Sequence, residues 1–273
     1  MNDLFNLKGK VAIVTGAGGL LGKQHCEAIA SAGGTPILLD LYLKPAQAAA
    51  EMLKEKYGVP ARAYEADITR RESLESIRAS VLKEFGRIDI LINNAANNPK
   101  VEAKGDVPWS RLENFPMEQW HADIAVGLTG AFLCSQIFGV VMAEKRSGVI
   151  LNIASDLAVI APDQRLYRKD GVAADKQPVK PVTYSVVKTG LVGLTRYLAT
   201  YWAEAGVRVN AISPGGVEQN QPQEFLDRIS QLIPLGRMAK PDEYRGVVLF
   251  LVSDASTYLT GQNIIIDGGR SCW

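Results

Sequence analysis

Seven short apolar runs, set apart by longer stretches of helical periodicity, limit this chain to very few architectures. The runs are "VAIVT" (11–15), "PILLD" (36–40), "ARAYEA" (61–66), "IDILIN" (88–93), "GVILNIA" (148–154), "VRVNAIS" (207–213) and "NIIID" (263–267). Most are apolar at successive positions, so both faces of each strand need cover. Stretches 22–32, 45–57, 70–85, 117–145, 182–205 and 241–252 have the amphipathic spacing to supply it. Strand–helix alternation of this kind predicts right-handed crossovers and a doubly wound parallel sheet, an α/β fold. No linker, repeat or low-complexity tract interrupts it, so residues 1–273 are read as one domain.

Three segments break the rhythm. Residues 97–116 and 160–181 are polar, proline-containing and aperiodic, and each follows a strand at its carboxyl end. An open α/β sheet places its ligand crevice there, which predicts a substrate role for both. The third, 216–243, carries Pro222, Pro234 and Pro241 around Phe225, Leu226, Ile229 and Leu232, the pattern of a short helix in a mobile lid.

Charge and cysteine content exclude several classes. Thirty Lys+Arg against 29 Asp+Glu leave a net charge of +1, so neither a nucleic-acid surface nor a polybasic membrane patch is expected. Three cysteines make no disulfide framework and suit a reducing compartment; Cys26 and Cys134 fall in apolar helical patterns, Cys272 near the tail. "GAFLCSQIFGVVMAE" is too short and polar to span a bilayer, and the first strand begins too early for a leader peptide. The expectation is a soluble cytoplasmic protein. His25 and His121 lack partners at metal-ligand spacing, so no metal site is expected.

The turn "VTGAGGLLG" (14–22) links the first strand to the first helix. Its glycines, Gly16, Gly18, Gly19 and Gly22, permit a tight turn and close approach to a pyrophosphate at a helix N-terminus. Asp40 ends the second strand, eighteen positions past Gly22. A carboxylate there accepts hydrogen bonds from ribose hydroxyls and repels a 2′-phosphate. The prediction is a dinucleotide, NAD in preference to NADP.

"PVTYSVVKTGLVGL" (181–194) reads as a buried helix, yet carries Tyr184 and Lys188 one turn apart on one face. A phenol beside an ammonium is a candidate base, because a free phenol with pKa about 10 is poorly matched to neutral pH. A neighbouring ammonium and a cationic oxidised nicotinamide both favour phenolate, and opposite charge lowers such a pKa by one to about three units. Oxidation of a secondary alcohol needs such a base for the hydroxyl proton; in reduction the same group protonates the alkoxide.

"TGAGGLLG", Asp67-Ile68, "NNAA" (93–96), Ser155, "YSVVK" (184–188), "PGG" (214–216) and "TGQNIIIDGG", in this order, resemble the short-chain dehydrogenase/reductase family along essentially the whole chain. The resemblance implies a seven-stranded Rossmann sheet, nicotinamide-dependent chemistry on an alcohol or carbonyl, and a dimer or tetramer. It assigns catalysis to Ser155, Tyr184 and Lys188. It assigns coenzyme contacts to Gly16, Gly19, Leu21, Gly22, Asp40, Asp67, Ile68, Asn94, Ala95, Tyr184, Lys188 and the backbone near Val217. Asp67 and Ile68 would bracket the adenine.

Four features depart from the family pattern. Leu20 stands where a glycine is usual, giving a spacing that resembles nucleotide-sugar epimerases and dehydratases; Gly127 stands where an asparagine supports a proton relay. Ser155 and Tyr184 are 29 positions apart, an unusually wide gap whose extra length must loop outward. Gln219 replaces a threonine near the nicotinamide amide. Polar donors at Asn97, Asn98, Lys100, Gln164, Arg165, Tyr167, Arg168, Lys169, Lys176 and Lys180 favour a carbohydrate-like small-molecule substrate, because unpaired buried donors are costly beside an apolar one. Rival readings are an epimerase or dehydratase with tightly held NAD, and a non-catalytic nucleotide sensor.

Overall fold

The computed structural model describes residues 3–97 and 108–273. All seven expected strands form: β1 Val11–Thr15, β2 Thr35–Asp40, β3 Arg62–Glu65, β4 Ile90–Asn93, β5 Gly148–Ile153, β6 Val207–Pro214 and β7 Asn263–Ile266. They make one parallel sheet in the order β3-β2-β1-β4-β5-β6-β7. Strand order reverses between β1 and β4, so their carboxyl ends open the crevice that such a sheet offers a ligand.

Helices α1 (Leu20–Ser31), α2 (Leu43–Tyr57) and α8 (Arg245–Val252) cover one face. The other is covered by α3 (Arg71–Phe85), α5 (Gly130–Glu144) and α6 (Val182–Tyr201). Period-two alternation divides each strand between these layers: Ala12 and Val14 join the first cluster, Val11 and Ile13 the second. Gly58 and Gly86 end α2 and α3 in the left-handed region, at φ 67° and 70°, where a side chain would be strained.

The expected helix 117–145 forms in three parts: α4 (Met117–Ile124), one wider π-helical turn (Ala125–Thr129), and α5. The continuous run Met117–Glu144 is long and apolar enough to cross a membrane by length and composition alone, unlike the shorter stretch weighed from sequence. Half of its most apolar 18-residue window is buried inside the protein, and Cys134, Phe138 and Met142 are fully enclosed by the second cluster. Cys26 is likewise buried, and Cys272 is exposed.

A third, much smaller cluster holds the irregular segments together. Leu166 from the 160–181 loop packs with Ile229, Ile233 and Met238, flanked by Tyr167, Phe225, Leu226 and Leu232. The expected short helix of the lid is α7, Gln223–Ser230. Its apolar face therefore meets the inserted loop rather than the main core.

Candidate active site

The glycine turn is shaped by close backbone contact. Gly16 has φ 62°, and a Cβ there would fall 2.9 Å from the Ala95 Cα. A Cβ on Gly22 would fall 2.2 Å from the Gly16 carbonyl oxygen, so any side chain would force the strand and helix apart. Leu20, at the variant position, simply begins α1 and is part-exposed. The N-cap of α1 is Gly19 and no side chain caps it, so amides of its first turn remain for an anion.

A cleft runs from this turn along the strand ends, lined by Gly16, Gly19, Leu21, Asp40, Ile68 and Asn94, with Asp67 and Ala95 also on its wall. The Asp40 carboxylate accepts Gly18 N–H at 2.8 Å and Tyr42 N–H at 3.1 Å, tying the end of β2 to the glycine turn. Lys44 is exposed and does not line the cleft. Asp67 accepts from the backbone and hydroxyl of Thr69 at 2.9 and 2.6 Å, which fixes the turn leading to Ile68. The Asn94 amide donates to the Thr15 and Gly16 carbonyls at 2.9 and 3.2 Å, bracing β4 against the turn. An uncapped helix start, a carboxylate at the second strand end and apolar walls at Leu39 and Ile68 fit a dinucleotide. Gly22 supports that cleft from behind, and Val217 lies outside its lining, in a parallel bridge with Ala239.

Ser155 follows β5, and its oxygen caps a short turn by accepting Leu157 N–H at 3.2 Å. Tyr184 and Lys188 project from the first turns of α6. The 29-position gap closes in space: the Ser155 hydroxyl lies near enough to Tyr184 to bear on its ionisation. The Lys188 ammonium donates to the Ile153 carbonyl at 2.7 Å and lies 5.8 Å from the centre of the Tyr184 ring. Residues 160–181 loop outward, as their length required, and return Lys180 to the site, 3.7 Å above the Tyr184 ring. Lys180, Tyr184 and Lys188 line one compartment with Asn97, Asp123 and Gly127. Asp123 is fixed by Thr183 at 2.5 Å and Gln119 at 2.7 Å.

In the chain alone Tyr184 is held above its ordinary pKa: burial of its hydroxyl dominates, opposed by the Ser155 hydroxyl and reinforced by the Asp156 charge. Part of the side chain remains exposed, yet desolvation is the largest influence on it. The same burial pulls Lys188 down to about 8, helped by the Lys180 charge, and pulls Lys180 down to about 8 against the attraction of Asp156.

Gly127 sits in the π-helical turn, and a Cβ there would fall 2.5 Å from Val187 Cγ1. Val187 therefore occupies the space an asparagine would need. Asn98 and Lys100, with most of the 97–116 segment, lie outside the described residues. The remainder touches the second loop, with Ser110 Oγ accepting Val179 N–H at 3.2 Å and Arg111 donating to the Ala174 carbonyl at 3.1 Å.

Sequence reasoning missed an ion pair beneath Ser155. Asp156 Oδ2 accepts from Arg270 Nη1 at 2.8 Å, and the two side chains are only 4% and 9% exposed. A charged residue in a polar terminal segment ordinarily points to water, so nothing local marked Arg270 as buried.

A family model described as enoyl-(acyl carrier protein) reductase matches residues 16–271. The sorbose reductase SOU1 of Candida albicans is 34% identical over 99% of this chain and 90% of its own length. An NAD-dependent glycerol dehydrogenase of Listeria innocua is 34% identical over 97% of this chain and 94% of its own. The crystal structure of a gluconate 5-dehydrogenase from Burkholderia cenocepacia, in complex with NADP and tartrate, superposes with a TM-score of 0.86 at 26% identity, covering 99% of this chain and 98% of that one. With a glycine turn, parallel sheet and serine-tyrosine-lysine site already in place, these similarities establish that the chain belongs to the short-chain dehydrogenase/reductase family of nicotinamide-dependent oxidoreductases.

Proposed function

We propose that the chain moves hydride between NAD and a secondary alcohol or ketone of a polar, carbohydrate-like molecule, with Tyr184 as acid–base group, Ser155 as partner of the reacting oxygen and Lys188 as supporting charge. The observation that carries this is that Tyr184 and Lys188 line one compartment beside the dinucleotide cleft, with the Ser155 hydroxyl next to Tyr184. When bound, the nicotinamide coenzyme supplies the hydride acceptor or donor.

Tyr184 must be a phenolate to take the alcohol proton, and in the chain alone burial opposes that state. Lys188 and Lys180 place two ammonium groups within 6 Å of the ring centre, so their charge stabilises the phenolate once a reactant excludes water. In reduction the protonated Tyr184 returns its proton to the developing alkoxide. Asp123 and Asn97 add polar partners to the compartment, and Lys180 adds a donor from the inserted loop. Such walls suit hydroxyl or carboxylate groups and disfavour a steroid or acyl chain. The sorbose and glycerol names of its relatives point to the same class. NAD is favoured because Asp40 would oppose a 2′-phosphate and Lys44 stands outside the cleft.

The test is absorbance of reduced nicotinamide with NAD or NADP and a panel of polyols, aldonic acids, sugars and hydrophobic alcohols, run also in the reductive direction. Turnover of polyols or sugar acids with NAD is expected. Turnover of hydrophobic compounds alone would reject the substrate class. Tyr184→Phe should lower kcat by about 10²–10⁴-fold while leaving the coenzyme Kd within about twofold; near-normal kcat would reject the assignment of the base.

A further inference from the structure

The Ser155 hydroxyl has one proton and two lone pairs. Its proton is directed inward, to Asp156 Oδ1 at 2.8 Å, and Leu157 N–H holds both Ser155 Oγ (3.2 Å) and Asp156 Oδ1 (2.9 Å) in place. While it points inward, Ser155 has no proton to offer either the Tyr184 oxygen or a reacting oxygen. A serine that steadies a carbonyl or alkoxide oxygen must instead donate to it. Asp156 and the substrate oxygen therefore compete for one proton.

Asp156 is itself buried and paired through its other oxygen to Arg270, which arrives from the final turn of the chain, Arg270–Cys272. A buried ion pair is a poor device for stability alone, because desolvation consumes most of its Coulomb energy. Here its position gives it another use. Charge drawn toward Arg270 weakens the hold of Asp156 on the Ser155 proton, and also offsets the negative charge that opposes ionisation of Tyr184.

We infer that Arg270 is a positioning residue for the reaction: through Asp156 it governs whether the Ser155 hydroxyl proton stays inside the protein or passes to the reacting oxygen. The inference rests on the proposed roles of Ser155 and Tyr184. Other ionisable groups face the pair. Lys180, Tyr167, Tyr184 and Tyr244 feel the Asp156 charge, Asp163 and Tyr167 feel Arg270, and Lys188 adjoins Lys180. All keep their places in the substitutions below, so opposite charge changes at the two ends of the pair should move Tyr184 in opposite directions.

Tyr184 ionisation can be read without substrate, as the tyrosinate absorbance of each chain minus that of its Tyr184→Phe counterpart, titrated in the full-length protein. Asp156→Asn keeps the shape and removes the charge; the Tyr184 midpoint should fall by about one pH unit. Arg270→Met leaves Asp156 unpaired and should raise the midpoint by about as much, and Arg270→Lys should restore it. With NAD and the panel alcohol turned over fastest, Arg270→Met should lower kcat about tenfold and change KM less than about twofold. Should Arg270→Met fail to fold, Asp156→Asn and Arg270→Lys still decide the matter. Coincident midpoints in Asp156→Asn and the unaltered chain would overturn the inference. If Tyr184→Phe is inactive while those midpoints coincide, only the role of the pair fails; if Tyr184→Phe keeps its turnover, the underlying site reading fails instead.

Discussion

The side of the molecule proposed for the coenzyme and the side proposed for the substrate are built by different means. The first consists of regular strands and helices whose apolar residues belong to two large clusters, one on each face of the sheet. The second consists of the 160–181 loop, α7 and the tail, joined by four buried apolar residues. Individual polar bonds supplement that small cluster: Arg228 to the Arg168 carbonyl at 2.5 Å, Trp273 Nε1 to the Leu232 carbonyl at 3.3 Å, and Arg270 to Asp156. A firmly packed half for a common coenzyme and a lightly held half for a particular substrate would be a physically sensible division of the proposed roles. Segments with few buried contacts open at lower free energy than the core they rest on.

The largest effect expected from this contrast is on stability. Leu38 and Leu166 are both buried leucines, one in the main core and one in the satellite cluster. Leu38→Ala should destabilise the whole chain by about 2–5 kcal/mol, seen as a lower denaturant midpoint. Leu166→Ala should leave that midpoint almost unchanged, yet speed hydrogen exchange in α7 and residues 160–181 and raise KM. Equal global destabilisation by the two would erase the distinction between the halves.

A second test concerns pH and addresses the rigid half. His25 on α1 is fully buried, and burial holds its pKa down to about 4 against the opposing influence of the neighbouring Asn94 amide. The unfolded chain takes up this proton near pH 6.5, whereas the folded chain refuses it until about pH 4. Stability from this group is therefore complete above pH 6.5 and declines as pH falls toward 4, by about 3 kcal/mol in all. Urea unfolding at pH 6.5 and pH 4.5 should show a smaller decline in His25→Leu than in the unaltered chain. Identical declines would show that His25 does not titrate in this way.

The smallest effect probes selectivity within the coenzyme cleft. Asp40→Asn removes the charge and keeps one of the two acceptor oxygens that Gly18 and Tyr42 use. The ratio of kcat/KM with NAD to that with NADP should fall about tenfold, equivalent to about 1.4 kcal/mol. An unchanged ratio would place the discrimination elsewhere.

Most of the rigid half was legible in the sequence because its signals are local or periodic. Strand runs, the glycine turn, Asp40 and the i, i+4 pair of Tyr184 and Lys188 all express short-range geometry, which a linear reading captures. The substrate half was legible only in outline. Polarity and length marked 160–181 as an entrance, but not that Leu166 would dock on α7 or that Lys180 would return to lie over Tyr184. The upward shift of Tyr184 in the chain alone was illegible for a related reason: spacing gives the distance to an ammonium, whereas burial depends on everything packed around the hydroxyl.

The sequence by itself determined the parallel sheet and its glycine turn, and supplied the side chains proposed to react, since each follows from residue type at fixed spacing along one element. Only tertiary structure decided that the last turn would reach back 114 positions to neutralise Asp156 beneath Ser155. Closing so long a loop is favourable only when the rest of the fold already holds both ends, and no local pattern records that.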